Sequence, residues 1–235
     1  MSIFKFKKFN VHQDNVPQKV GTDAMVLGAM IDPSNQPKKI LDVGTGCGVI
    51  ALMLAQKYPG SQVTGLDIDE KAIAQAKINF EEANRGQLNA DFSAIHQDFL
   101  SYSPDLPLDL IVSNPPYFNT KMPSENEQRS LARHENSMSL EGFIDHSTNL
   151  LSDNGELWMI IPAERTASLV ESSKILKLIR QIRIFGKPGR HVRDVVVFSK
   201  RQPRFIESSL TIRDDENNYT EEYKELTIDF HFNQL

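Results

Sequence analysis

The tetrapeptide Asn114-Pro115-Pro116-Tyr117 carries groups that can activate an amino nitrogen. Its two prolines lack backbone donors and stiffen the chain, so the Asn114 side-chain oxygen and the Pro115 carbonyl remain as acceptors. An amino group conjugated to an aromatic ring or an amide is a poor nucleophile, because its lone pair is delocalised. Two acceptors on its hydrogens return that lone pair to nitrogen, and Tyr117 would stack on a planar substrate. The motif predicts catalytic roles for all four residues; a proline-rich turn with a packing tyrosine is the structural alternative.

A second candidate site is the segment LDVGTGCGVIAL (41–52), in which an apolar strand leads through three glycines into a helix. Glycines permit a tight turn and let a ligand approach backbone N–H groups near the helix N-terminus. A dinucleotide fingerprint requires G-x-G-x-x-G, which the G-x-G-x-G spacing does not match. The segment instead resembles the first motif of class I methyltransferases, where the turn holds the methionine part of S-adenosylmethionine. The residues that this resemblance assigns to the cofactor site are Asp42, Gly44, Gly46 and Gly48.

Acids that end the next two predicted strands add to the cofactor site. Asp67 ends SQVTGLD (61–67), near the offset expected of an acid that binds ribose hydroxyls. In the class I pattern, Asp98 contacts the adenine amino group and Phe99 lies against the ring. The residues expected around the adenosine are therefore Asp67, Ile68, Asp98 and Phe99.

These two motifs together predict in-line attack of an amino nitrogen on a sulfonium methyl, with Asn114 next to both reactants. Catalysis is then mainly positioning, without a metal or a covalent enzyme intermediate. The expected cofactor is S-adenosylmethionine and the product S-adenosylhomocysteine. No Cys/His cluster has metal-ligand spacing, and Cys47 is interpreted as a small filler of the glycine turn.

The elements that must position these residues alternate between apolar runs and helical segments, as in βαβ units. Strands are expected over 38–43, 61–67, 92–98, 108–114, 156–162, 180–186 and 193–200, and helices over 49–57, 70–83, 140–151 and 163–180. The connection at 187–189 is short enough for an antiparallel hairpin. The predicted fold is α/β and Rossmann-like, a class I methyltransferase with a seven-stranded, mostly parallel sheet, an antiparallel last strand and helices on both faces.

The length of 235 residues suits a single methyltransferase domain over 1–235. Its expected parts are an N-terminal strand/helix extension (1–37), a mobile substrate loop (118–136) and C-terminal strands (204–235). No apolar run approaches the length of a membrane span, and the N-terminus lacks a signal-peptide pattern. A cytoplasmic protein with no membrane partner and no obligatory protein partner is expected.

The charge distribution bears on a nucleic-acid partner. The net charge of −5 argues weakly against one, but residues 174–204 contain ten Lys and Arg and a single acid, Asp194. A local basic block on an acidic protein can bind phosphates, because screening limits the reach of distant charges to about 10 Å. A solvated basic face is the alternative.

The tetrapeptide leaves the methylated group open. It resembles N6-adenine methyltransferases of DNA and RNA, and also glutamine methyltransferases that act on release factors. The latter carry an N-terminal helical domain, for which the 37 residues before the first expected strand are too few. DNA enzymes usually carry a separate target-recognition region, and the visible insertion here is the loop 118–136. A binding module without chemistry would not need the amino-group acceptors.

The two ends of the chain are more specific. VHQDNVPQKVGTDAMVLGA (11–29) resembles the opening of the bacterial tRNA(Val) adenine-N6 methyltransferase family, which modifies adenine 37, and YTEEYKELTIDFHF (219–232) is similar to its C-terminal strand. The resemblance implies tRNA as substrate. The further residues that it implies for the cofactor site are Lys19, Gly21, Thr22 and Asp23. A base in an anticodon loop can be splayed out at modest cost. The residues expected to bind RNA are Lys5, Lys7, Lys8, Arg129, Arg133, Lys187, Arg190 and Arg193.

Overall fold

The computed structural model describes residues 2–14, 19–86, 88–115 and 139–232. Pro116, Tyr117 and the segment 118–136, with Arg129 and Arg133, lie outside those residues. Their predicted roles in stacking, closure and RNA binding therefore stay predictions. In the described part of the chain, no helix is long and apolar enough to cross a membrane.

A small hairpin precedes a large central sheet. The hairpin consists of β1 (Ile3–Lys5) and β2 (Asn10–His12). The central strands are β3 (Lys39–Val43), β4 (Gln62–Asp67), β5 (Asp91–His96), β6 (Leu108–Ser113), β7 (Leu151–Pro162), β8 (Lys177–Lys187), β9 (Arg190–Ser199) and β10 (Ile206–Thr211). Their order is β10-β8-β9-β7-β6-β3-β4-β5, and among these strands only β9 is antiparallel to its neighbours. The mostly parallel sheet and the β8–β9 hairpin are confirmed. Strand β10 lies in the segment 204–235, where C-terminal strands were expected, and it adds an eighth strand to the seven predicted for the sheet.

Helices cover both faces of this sheet, as predicted. The described α-helices are α1 (Thr22–Met30), α2 (Val49–Lys57), α3 (Glu70–Arg85), α4 (Leu140–Leu150), α5 (Thr166–Ser172) and α6 (Glu221–Thr227). One core contains Leu27, Leu52 and Phe80 from the first three helices. The other contains Phe143 of α4 and Leu169 of α5. The sheet is thus the middle layer of three.

Strand β6 shows why the centre of the sheet is continuously apolar. Leu110 and Val112 face one core, Ile111 faces the other, and all three are fully buried. Side chains of a strand alternate between the two faces, so a strand covered on both sides needs apolar residues throughout. Because β6 is fixed by both cores, Asn114 directly after it has a fixed position at the carboxyl edge, the side where the parallel strands end.

The N-terminal extension consists of the β1–β2 hairpin and the helix α1. Strand β1 ends at Lys5, because Phe6 N–H donates to the Phe9 carbonyl at 2.9 Å and closes a turn. The Phe6 and Phe9 rings stack at 4.4 Å and are buried, whereas Lys5, Lys7 and Lys8 are exposed. The turn thus places the aromatic residues in the core and the basic residues in solvent.

Two predicted elements are wrong. The helix predicted over 163–180 is limited to a 3-10 turn (Ala163–Arg165) and α5, because pairing with β9 draws residues from Lys177 onward into β8. Residues 219–232 were expected to form a strand but contain α6. The Thr220 hydroxyl accepts from Tyr223 N–H at 3.2 Å, and two glutamates follow in the first turn. This cap and these charges favour a helix.

Candidate cofactor and amino-group site

The glycine turn after β3 is built on left-handed backbone. Gly44, Gly46 and Gly48 have φ of 72°, 55° and 82°. The N–H groups of Gly44 and Thr45 donate to the Leu66 carbonyl at 2.8 and 3.0 Å, which anchors the turn to β4. Added Cβ atoms at Gly44 and Gly46 would meet no heavy atom within 4 Å, so these positions need glycine for backbone conformation. The open space beside them is available to a ligand.

Asp42 lies beneath this turn and not in the cavity. Its Oδ2 accepts from Thr45 Oγ1 at 2.7 Å and from Ala51 N–H at 3.2 Å. The residue is 1% exposed, and burial raises the pKa of its carboxyl to about 7, although these two hydrogen bonds oppose the rise. The structure therefore gives Asp42, predicted as a cofactor residue, the role of joining the turn to α2.

Asp67 also contacts the turn. Its Oδ2 accepts from Gly46 N–H at 2.9 Å and its Oδ1 accepts from Asp69 N–H at 2.9 Å. The carboxylate is partly exposed, so its remaining lone pairs can accept from ribose hydroxyls. Ile68 beside it is 67% exposed, as an apolar wall for a base would be. The predicted place of both residues at the end of β4 is thus what the structure has.

Asp98 and Phe99 both contribute to the fold itself. The Asp98 Oδ1 accepts from Leu100 N–H at 3.1 Å and caps a 3-10 turn (Phe99–Ser101). The Phe99 ring is 4% exposed and packs 4.7 Å from the Phe143 ring and 4.9 Å from that of His146. Phe99 therefore belongs to the core and does not present an open ring face. Asp98 remains partly exposed at the carboxyl edge.

A cavity of about 300 Å³ lies between the glycine turn and the start of α1. This volume is at the lower end of the range for small-molecule sites. Its residues are Lys19, Gly21, Thr22, Asp23, Ala24, Gly44, Thr45, Gly46, Cys47, Val49, Ile50 and Asn114. The structure thus brings together the predicted segment 19–23, two of the three glycines and the first residue of the Asn-Pro-Pro-Tyr motif. Thr45 also lines the cavity, although no motif pointed to it, and Cys47, predicted only as a filler, lines it as well.

Cys47 is not a nucleophile here. It is 2% exposed, and burial raises the pKa of its thiol to about 11. The thiol is therefore protonated at neutral pH, which agrees with its interpretation as a small filler.

Asn114 places an unsatisfied acceptor at this cavity. Its Oδ1 is buried and has no hydrogen-bond partner within the part of the chain that the structure describes. Ser113 before it is fixed, because its hydroxyl donates to the Val43 carbonyl at 2.9 Å. A buried acceptor without a donor costs about 1–3 kcal/mol, so such an oxygen is a sign of a ligand donor. Pro115 is buried next to it.

The basic residues predicted to bind RNA lie in different parts of the structure and differ in their contacts. Arg190 is exposed at the carboxyl edge, and Lys187 Nζ lies 3.5 Å from the Asp215 carbonyl. Arg193 Nε donates to Asp23 Oδ2 at 3.1 Å, which joins two predicted sites that the sequence kept apart. Lys5, Lys7 and Lys8 stand on the N-terminal hairpin.

Comparison with known proteins agrees with this geometry. Residues 18–187 match the model of the methyltransferase small domain family. A protein of Flavobacterium johnsoniae, named tRNA1(Val) (adenine(37)-N6)-methyltransferase, is 39% identical over 233 residues, covering 97% of this chain and 99% of the relative. The chain belongs to this methyltransferase family.

Solved structures place the fold of this methyltransferase in the same class. A predicted O-methyltransferase from Agrobacterium tumefaciens has a TM-score of 0.66 at 17% identity, covering 88% of this chain and 96% of that one. A tRNA (uracil-54, C5)-methyltransferase from Pyrococcus abyssi, crystallised with S-adenosyl-L-homocysteine, has a TM-score of 0.55 at 18% identity, covering 84% and 44%. At these identities the likeness concerns the fold, which is that of class I methyltransferases.

Proposed function

We propose that this protein transfers a methyl group from S-adenosylmethionine to the exocyclic N6 of adenine 37 in tRNA(Val), in the cytoplasm. The observation that carries the proposal is the buried, unpartnered Asn114 Oδ1 beside the glycine turn. The name of the Flavobacterium johnsoniae relative supports the choice of RNA and of position.

The cavity and the neighbouring end of β4 each fit a part of the cofactor. Gly44 and Gly46 leave open space that a Cβ would partly fill, so backbone groups of the turn can approach a ligand. Asp67 at the end of β4 retains accessible carboxylate lone pairs for ribose hydroxyls. The residues that would hold the methionine part are those of the glycine turn and of the segment 19–23. When bound, S-adenosylmethionine supplies a methyl group on a sulfonium, which is already a good leaving centre.

Asn114 then binds and orients the amino group. Its Oδ1 accepts one N–H of the adenine amine, and the Pro115 carbonyl is the expected acceptor of the other. Both acceptors draw the nitrogen lone pair out of conjugation and toward the methyl. Because Asn114 is held by β6 between two cores, this orientation is fixed before substrate arrives. After methyl transfer the nitrogen carries a positive charge and its N–H is far more acidic. The proton can therefore leave without a dedicated base.

A glutamine amide would satisfy the same acceptors, and protein glutamine methylation is the alternative. A ribosomal RNA or DNA adenine is the other. The name of the Flavobacterium johnsoniae relative favours the tRNA adenine over both alternatives.

The proposal predicts a defined chemical loss in cells. In cells that lack the protein, N6-methyladenosine should vanish from tRNA(Val), and the wild-type gene should restore it. Asn114→Ala should not restore it, because turnover falls by about 100-fold or more when one positioned hydrogen-bond group is lost. Nucleoside analysis of purified tRNA measures both. The purified Asn114→Ala protein should bind S-adenosylmethionine nearly as well as wild type.

The matched control is Asn154→Ala, which truncates an exposed asparagine in β7. This variant should restore the modified nucleoside fully. Restoration by Asn114→Ala would disprove the acceptor role. Methyl uptake by protein, with tRNA unchanged, would favour the glutamine alternative.

A further inference from the structure

An ion pair at the rim of the cavity joins two elements that are distant in sequence. Arg193 Nε, on β9, donates to Asp23 Oδ2 in the first turn of α1 at 3.1 Å, across 170 residues of sequence. The two side chains are 27% and 26% exposed, so the pair is largely shielded from solvent. Asp23 itself lines the cavity.

The first turn of α1 has no side-chain cap at its N-cap residue. Its N-cap residue Gly21 has no side chain to bond the free N–H groups of the first turn, and Gly21 and Thr22 are exposed. Further along, Ala24 to Ala29 are buried and hold the body of the helix in the core. Before the helix, Gln13 Oε1 accepts from Val20 N–H at 2.8 Å. Within the segment 20–24, Asp23 connects the cavity wall to the sheet through its ion pair with Arg193.

Arg193 is itself held rigidly. It stands in β9 between Pro162 of β7 and Ile184 of β8 in register. Its Nη1 donates to the Val192 carbonyl at 2.8 Å, which orients the guanidinium. The next residue, Asp194, is fully buried and accepts from Thr166 Oγ1 at 2.6 Å and from Gln181 Nε2 at 3.1 Å. The strand start is therefore fixed on both sides of the sheet.

We infer that Arg193 is a positioning residue of the cofactor cavity, which holds the first turn of α1 through Asp23 at a set distance from the glycine turn. The inference rests on the proposed function in that the cavity takes S-adenosylmethionine. It assigns to Arg193 a role other than the RNA contact expected from the basic block. A guanidinium that is already bonded to a carboxylate attracts a phosphate less strongly. The same bond can hold the first turn of α1, which has no side-chain cap, against the sheet.

The test compares Arg193→Gln, Arg193→Lys and Asp23→Asn with wild type by calorimetric titration of S-adenosylmethionine. Arg193→Gln should weaken cofactor binding by about 3- to 10-fold, the range for one partly shielded ion pair. The KM for the cofactor should rise while kcat changes little, because the pair does not touch the reacting atoms. Arg193→Lys, which keeps the charge, should recover part of the affinity. Adding Asp23→Asn to Arg193→Gln should cost less than the sum of the single changes.

The matched control is Arg183→Gln, which removes an ion pair with Glu207 on the same sheet but away from the cavity. Its cofactor affinity should equal that of wild type. The inference is overturned if Arg193→Gln leaves cofactor affinity unchanged, or if Arg193→Gln and Arg183→Gln weaken it equally. A smaller salt dependence of tRNA binding in Arg193→Gln, with normal cofactor affinity, would return Arg193 to the RNA surface. Absence of S-adenosylmethionine binding by wild type would instead contradict the proposed function itself.

Discussion

Asp42 illustrates how a residue of a binding motif can act from below the ligand. Its carboxyl is enclosed, with one oxygen bonded to Thr45 and Ala51 and the other, Oδ1, buried without a partner in the described part of the chain. A buried carboxylate that is only half satisfied favours its neutral form. The protein thus accepts a costly group to hold the glycine turn against α2.

This cost predicts a pH-dependent stability. Burial raises the pKa of Asp42 from 3.8 in the open chain to about 7 in the fold. Between these values the folded state holds a proton that the unfolded state has lost, so the free energy of unfolding falls as pH rises from about 4 to about 7. The loss is at most roughly 4 kcal/mol. Asn at position 42 does not titrate. In urea unfolding, the stability of Asp42→Asn relative to wild type should therefore increase as the pH rises from about 4 to about 7. Parallel pH profiles for the two proteins would contradict the raised pKa.

The residue scale is also where sequence patterns reach their limit. Motif spacing places Asn114 and Asp67 at strand ends, because both follow apolar runs that the sheet must bury. It cannot distinguish a strand-end side chain that faces a ligand from one that faces the core. The class I pattern implies that Phe99 lies against the adenine, whereas its ring packs in the core. Nor can motif spacing reveal Arg193 and Asp23 as partners, since a contact across 170 residues depends on how the whole sheet closes.

At the scale of elements, the junction of β3 and α2 depends on one close approach. An added Cβ at Gly48 would lie 2.5 Å from Phe80 Cε1, so α2 and α3 pack over a position without a side chain. This contact links the glycine turn to the helix after β4. The turn is thus shaped by both backbone conformation and helix packing.

Two glycines with the same φ angle allow these contributions to be separated. Gly48 and Gly60 both have φ of 82°, but a Cβ at Gly60 would meet nothing within 4 Å. Gly60→Ala should cost about 1–2 kcal/mol, the strain of a left-handed residue. Gly48→Ala should cost about 1–3 kcal/mol more, because the Phe80 ring must shift. Chemical denaturation of both variants measures the difference. Equal losses would mean that packing at Gly48 contributes nothing.

Predictable and unpredictable elements differ in what determines them. Strands such as β6 are predictable because burial on both faces demands an unbroken apolar run. The segment 174–180 has apolar residues that suit either a helix or a strand, and pairing with β9 decides for β8. In 219–232 the family resemblance implies a strand, but the Thr220 cap favours α6. Long-range pairing decides the first of these segments, and local capping decides the second.

At the scale of the molecule, the basic block is not one surface. Strand β8 spans 11 residues, or about 35 Å, and β9 returns alongside it. Lys187 and Arg190 therefore lie at the carboxyl edge with Asn114, whereas Arg201 and Arg204 lie near the opposite edge. Several members are already paired: Lys174 lies 3.4 Å from Glu141, and Arg183 pairs with Glu207. Continuity in sequence thus overstates the charge available at the site.

This separation predicts different effects of the same charge reversal on tRNA binding. Arg190→Glu should weaken binding and lower the slope of log K against log salt by about 1, because Arg190 is expected to contact a phosphate beside the site. Arg204→Glu removes an equally exposed arginine from the far edge and should leave both quantities unchanged. Filter binding of tRNA(Val) at several salt concentrations measures the two. Both variants change the net charge equally. If tRNA is attracted only by long-range charge, both should therefore bind it equally weakly. Weaker binding by Arg190→Glu alone would locate the RNA surface at the carboxyl edge.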